Sequence, residues 1–186
     1  GSLLGRMAAA LGLVFLGGAL ASWHPEEKQI TVSVTCTSAS VESCRYDRSN
    51  ASGHTARAVY DLQSRENAGF ANLVVSAPSP LSSSGSGGSL CAQANLETTY
   101  FAAGYAEGIA TAQDIHDFSC NVLPNDIEQH RDMITFIREN DEYVRGMARR
   151  SVKDGHEDAE YWKEVGLAYK RLDGMFAGYQ EAVNLE

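Results

Sequence analysis

The stretch Tyr100–Ile115, YFAAGYAEGIATAQDI, decides how the rest of the chain is read. Its composition predicts a helix, yet it carries Gly104 and Gly108 four residues apart. Each interior glycine costs a helix about 1 kcal/mol relative to alanine. The pattern returns in Tyr169–Tyr179, YKRLDGMFAGY, with Gly174 and Gly178 again four apart. Small residues at that spacing make a flat groove that admits another backbone, and the packing gained can outweigh the lost propensity. Either the two helices cross at these grooves or both lie against a sheet. The G-x-x-x-G spacing is best known from membranes, but both segments hold too many polar residues to span one. Glu107, between the first glycines, and Asp173, just before Gly174, border this close-packing face. They are expected to cap, pair or hydrogen-bond at a helix contact; the alternative is that one of them orients a group in a pocket.

Working outward, everything after Asn95 is helical in pattern, over about 95–183. The first helix is predicted over about Leu96–Phe118. A second starts at Asn125, with Glu128 completing a capping box. Its apolar stripe is Ile127, Ile134, Ile137, Val144 and Ala148, with Met133 and Met147 beside it. A third starts near Glu157, with the stripe Trp162, Val165, Tyr169, Leu172, Phe176 and Tyr179. Before the helices, Lys28–Ser38, Thr55–Gln63 and Phe70–Pro78 alternate polar with apolar or β-branched residues and read as strands. ESCRYDRSNASGH reads as a loop, SRENAG as a hairpin turn, and Ser79–Ser89 as a flexible Ser/Gly linker. Strands over about 28–78 followed by about three helices make an α+β chain, with an antiparallel meander as the economical topology.

The bulk properties bound the function. The chain of 186 residues is 44% hydrophobic and 21% charged, which suits one globular domain with a real core. A net charge of -9 argues against nucleic acid as a partner. Residues 1–22 read as a secretory signal peptide, or as a retained hydrophobic anchor. Arg6 precedes the apolar run Met7–Leu20, and Ala19–Ala21 offer small residues for cleavage. The remainder, 23–186, is the folded part. Secretory entry places Cys36, Cys44, Cys91 and Cys120 in an oxidising compartment. Cys91 and Cys120 would bracket a helix about 35 Å long and could not meet. Cys36–Cys44 is therefore the preferred disulfide, with four free thiols as the alternative. Asn50-Ala51-Ser52 is an acceptor triplet for N-glycosylation. The five histidines are dispersed with no metal-binding spacing, so neither a metal nor a cofactor is expected. No G-x-S-x-G is present.

Several stretches together resemble the phospholipase B-like family of N-terminal-nucleophile hydrolases. ARAVYDLQSRENAGFANLVV is similar to a strand pair of that family, with Gly69 and Phe70 at its glycine and aromatic positions. YFAAGYAEGIATAQDIHD resembles its first long helix at Ala103, Gly104, Glu107, Gly108, Thr111 and Ile115. FIRENDEYVR resembles a third segment. EYWKEVGLAYKRLDGMFAGY matches a fourth at Trp162, Gly166, Leu172, Asp173, Gly174 and Gly178. The resemblance runs from about Thr55 to Val183 and is poor before it.

The resemblance implies an αββα sandwich of which this chain is the N-terminal fragment. Such precursors are cut autoproteolytically, and the new N-terminal cysteine of the larger C-terminal chain is the nucleophile. It uses its own α-amino group as base and an oxyanion hole for the intermediate. No catalytic residue is then expected among the four cysteines of this chain. The implied partners are that companion chain, a second copy of the two-chain unit, and a lipid or acyl-amide substrate with an amide or ester bond to cleave. The implied setting is lipid degradation in the lysosome or outside the cell. Family members often carry a cysteine pair after the first long helix, where this chain has only Cys120. Its partner would be Cys91, the larger chain, or nothing. The competing reading is a non-catalytic structural or binding module of the same fold, tethered to a membrane by its hydrophobic N-terminus.

Overall fold

The structure, a computed structural model, describes residues 28–49, 52–77, 90–122, 130–153 and 157–184. The signal or anchor segment, Asn50, the Ser/Gly linker, the Asn125–Glu128 capping box and Ile127 lie outside them. No helix among the described residues is long and apolar enough to cross a membrane. The fold is mixed α+β, with a four-stranded antiparallel sheet.

Strand β1, Gln29–Cys36, turns Ile30, Val32, Val34 and Cys36 to one face, and all four are buried. This is the period-two burial expected of a half-covered sheet. A 3-10 turn at Val41–Ser43 leads into β2, Cys44–Asp47. Ser43 ties the turn together: its Oγ accepts from the Ser38 amide at 3.1 Å and lies 2.7 and 2.8 Å from the carbonyls of Ser38 and Ser40. Cys36 faces Cys44 across the ladder, and the two form a disulfide with a sequence separation of 8. CRYD is therefore an edge strand, not part of a loop. Its four residues with two charges give no strand pattern; the disulfide and the register on β1 hold it in place.

Strand β3, Ala56–Asp61, pairs with the other side of β1, and β4, Asn72–Ser76, pairs with β3. The order is β2-β1-β3-β4: the three expected strands, here β1, β3 and β4, form the antiparallel meander, and β2 adds to its free edge. With β2 spliced onto one edge of β1, the returning chain must pair on the other. Between β3 and β4 the expected turn is a short helix, α1, Gln63–Ala68. Asp61 starts it by accepting hydrogen bonds from Ser64 Oγ at 2.7 Å and the Gln63 amide at 3.0 Å. The first of these does most to hold the Asp61 carboxyl below its usual range. Gly69 ends α1 at φ +79°, a left-handed conformation that glycine adopts at little cost.

The long helix α2 is Leu90–Ala110, and α3 is Ala112–Val122. One uninterrupted helix over 96–118 is thus corrected. At Thr111 the side-chain Oγ1 and the backbone amide both donate to the Glu107 carbonyl, at 2.8 and 2.9 Å. Such back-bonding by a β-branched residue bends a helix. The last two helices are α4, Arg131–Lys153, and α5, Ala159–Asn184.

The chain divides into two compact units. In the first, the sheet packs against α2: Phe101, Ala102, Tyr105, Ala106, Ile109 and Ala110 join Ile30, Val32, Val34, Ala56, Ala58 and Tyr60 in one core. The C-terminal part of α5, from Lys170, belongs to this unit. The second unit holds α3 from Asp114, α4, and α5 as far as Tyr169. There, buried Asp141 accepts from Arg145 Nε at 3.0 and 3.1 Å. The Arg145 guanidinium lies 4.7 Å from the centre of the Tyr169 ring. Burial pushes the Tyr169 phenol up. Along α4, Val144 and Ala148 are half-buried, whereas Ile137 of the same stripe and Met133 beside it are exposed.

The disulfide gives the first testable consequence. Cross-linking so short a loop is worth about 2–3 kcal/mol on the chain-entropy model. The Cys36→Ala/Cys44→Ala variant is expected to lose about that much in equilibrium urea unfolding. An unchanged midpoint would show that β2 holds without its cross-link.

Candidate functional site

The two glycine pairs meet each other. A Cβ on Gly104 would collide with the Arg171 carbonyl, and one on Gly108 with the Met175 carbonyl. Reciprocally, a Cβ on Gly174 would collide with the Phe101 carbonyl and one on Gly178 with the Tyr105 carbonyl. Contacts advance together along both helices, so α2 and α5 run parallel where they cross. Backbone lies directly on backbone over one full helical turn, a geometry that also brings Cα–H groups to carbonyl oxygens. The groove pairs with another helix, while the adjoining stripe of α2 packs on the sheet.

Glu107 and Arg171 clamp this crossing. The guanidinium donates from Nη2 at 2.7 Å and from Nε at 2.9 Å, both to Glu107 Oε2. Glu97 and Lys170 add a pair at 3.5 Å. Glu107 therefore pairs at a helix contact. Asp173 is half-buried next to Gly174.

Deeper in the same unit, Tyr105 is 2% exposed, and burial, aided by the Glu181 carboxylate, pushes its phenol up to about 12. Tyr46 on β2 is pushed up as well, chiefly by burial. At neutral pH both phenols keep their protons.

The sheet presents its second face away from α2. Register places Asp47, Ser33, Arg57 and Ser76 in one row across β2, β1, β3 and β4, and Thr31, Val59 and Val74 in the next row. Val74 is 54% exposed, an apolar side chain in the open on a central row. Ser33 is buried because the chain beyond β2 folds over that corner, where Ser33 Oγ donates to the Ser49 carbonyl at 2.7 Å. Arg57 is half-buried, and its Nε is enclosed with no hydrogen-bond partner. Sequence reasoning passed over Arg57, although an arginine at the centre of an alternating strand was a legible signal.

On α3, Cys120 is an exposed free thiol, with Sγ 3.6 Å from His116 Nε2. The pairing of Cys91 lies outside the described residues. No group of three or more metal-ligating side chains occurs among the described residues.

These features sit on a chain whose relatives are recognisable. Residues 56–186 match the phospholipase B family. This chain belongs to that family. The matched region begins at β3 and takes in α2, α5 and all four crossing glycines. A rat (Rattus norvegicus) protein named phospholipase B-like 1 is 30% identical over 90 residues, which is 48% of this chain and 16% of that relative. A protein from Crotalus adamanteus named phospholipase B is 30% identical over 88 residues, 46% of this chain and 15% of the relative. The chain thus spans only about a sixth of the length of the curated phospholipase B relatives it matches.

Proposed function

We propose that this chain is the N-terminal part of a two-chain phospholipase B hydrolase, with the nucleophilic cysteine at the start of a companion chain. The observation that carries the reading is the one-sided sheet. Helices α2 and α5 make an outer layer and β1–β4 a second; among the described residues no further element packs over Arg57, Val59 and Val74, beyond the corner that Ser49 covers at Ser33. In an αββα sandwich that face receives the companion chain's sheet. Membership of the phospholipase B family supports the same reading.

The chemistry then follows from the nucleophile. The free α-amino group takes the thiol proton, and the thiolate attacks the carbonyl of an amide or ester, such as a lipid acyl group. Backbone or side-chain donors stabilise the oxyanion. The amine or alcohol leaves with the proton, and water hydrolyses the resulting thioester. This chain supplies the scaffold: the glycine crossing sets the height of the helical layer, and the sheet presents its open face to the companion. A secreted or lysosomal setting, with a cleaved leader and glycosylation at Asn50, belongs to the same proposal, as does pairing of two such units.

Expression of the complete precursor tests this. N-terminal sequencing of every chain is expected to find a second chain that starts with cysteine, and replacing that cysteine by alanine is expected to leave the precursor uncut and unable to hydrolyse phospholipid or acyl-amide. An uncut, inactive wild-type product would instead favour a non-catalytic binding module on the same fold.

A further inference from the structure

Arg57 is placed where a permanent charge is hard to keep. It lies on β3, near the middle of the sheet, on the face opposite α2. It is already half-buried, and its Nε has lost water without gaining an acceptor. Its cross-strand neighbours are Ser33 and Ser76, neither of which carries charge. The nearest carboxylate of the row, Asp47, stands two strands away, about 9–10 Å at normal strand spacing. A guanidinium cannot shed its proton to escape burial. A layer laid over this face would desolvate it completely, and an unpaired buried charge is strongly destabilising.

We propose that Arg57 forms an ion pair with a carboxylate presented by the companion chain, an Asp or Glu on the segment that covers this face. The inference rests on the two-chain reading above and gives it a residue. The planar fork of Arg57 can take both oxygens of a carboxylate, and the hydroxyls of Ser33 and Ser76 flank it on either side of the row. The exposed Val74 and neighbouring Val59 supply apolar contact beside the pair. Together they set one register between the two sheets, because a slip by one residue would oppose Arg57 to an inward-facing side chain. The negative charge comes from the companion and not from the substrate, since the charge sits on a central row of the sheet rather than at an edge.

The test uses the processed two-chain protein made from the complete precursor, with N-terminal sequencing to establish that both chains are present. The readout is the urea concentration at which this chain is released, followed by size-exclusion chromatography. Arg57→Gln is expected to weaken retention of this chain by about tenfold or more, and Arg57→Lys to recover part of it. Neutralising each companion Asp or Glu in turn should find one whose effect is non-additive with R57Q. Unchanged release by R57Q, with both chains present, would overturn the ion pair and leave the two-chain reading standing. A raised KM with unchanged chain retention would assign Arg57 to an anionic substrate group and equally overturn it. A preparation containing a single uncut chain would remove both readings.

Discussion

Replacing Gly108 by alanine is expected to destabilise the protein by about 3 kcal/mol, although the same change in an exposed helix would stabilise it by about 1 kcal/mol. The added methyl has nowhere to go. It would meet the Met175 carbonyl and the Tyr179 amide, which are backbone groups of α5 and cannot rotate away. The helices must separate, and with them the reciprocal contacts of Gly174 on Phe101 and Gly178 on Tyr105. Glu107 and Arg171, which clamp the crossing at 2.7 Å, would be pulled apart too. Gly166 is the internal control. A Cβ there finds only the Ala148 Cβ at an ordinary 3.6 Å. Gly166→Ala should therefore be neutral or stabilising. Urea unfolding of the two variants side by side checks the argument. If both gain stability, helix propensity dominates and the close crossing contributes little.

Tyr105 carries the other large effect. It is nearly fully buried in the core between α2 and the sheet, with its ring 6.3 Å from that of Phe101. Truncation to alanine removes most of that filling, and large-to-small changes of aromatic core residues cost about 3–5 kcal/mol. The phenol adds a pH signature. Its folded value is about 12, above the unfolded value of about 10. A raised acid is favoured neutral in the folded state, so its contribution is fully present below pH 10. It is lost as pH rises from about 10 to 12, at up to about 1.4 kcal/mol per pH unit. Tyr105→Phe should keep most of the neutral-pH stability and lessen the alkaline loss. Thermal unfolding from pH 8 to 11 would show this; identical alkaline limbs in both proteins would refute the assignment.

Legibility of the fold varied with how local the deciding interaction is. The alternation in Gln29–Cys36 and Ala56–Asp61 is written in single residues, because a half-covered sheet buries every second side chain. The Cys36–Cys44 pairing followed from the helix expected between Cys91 and Cys120. That helix is in fact interrupted at Thr111, yet Cys36 and Cys44 do pair. The strand CRYD was not legible, since what makes it a strand is a partner across the ladder and not its own composition. Nor was the break at Thr111, which depends on a hydroxyl taking up one carbonyl. Of the apolar stripe read for α4, the structure leaves Ile137 exposed, as it does Met133 beside it.

The sequence alone set the α+β class, the positions of the main helices and strands, and the demand of four glycines for a close neighbour, because each rests on the intrinsic conformational cost of particular side chains. It could not say what that neighbour is, nor that CRYD would pair on the free edge of β1. Both depend on which backbone arrives opposite, a choice made by contacts between segments far apart in the chain. Tertiary structure laid α2 on α5 in parallel and, among the described residues, packed helices on one face of the sheet. In doing so it left Arg57 half-buried with its Nε enclosed and without an acceptor, a property that no residue carries in isolation.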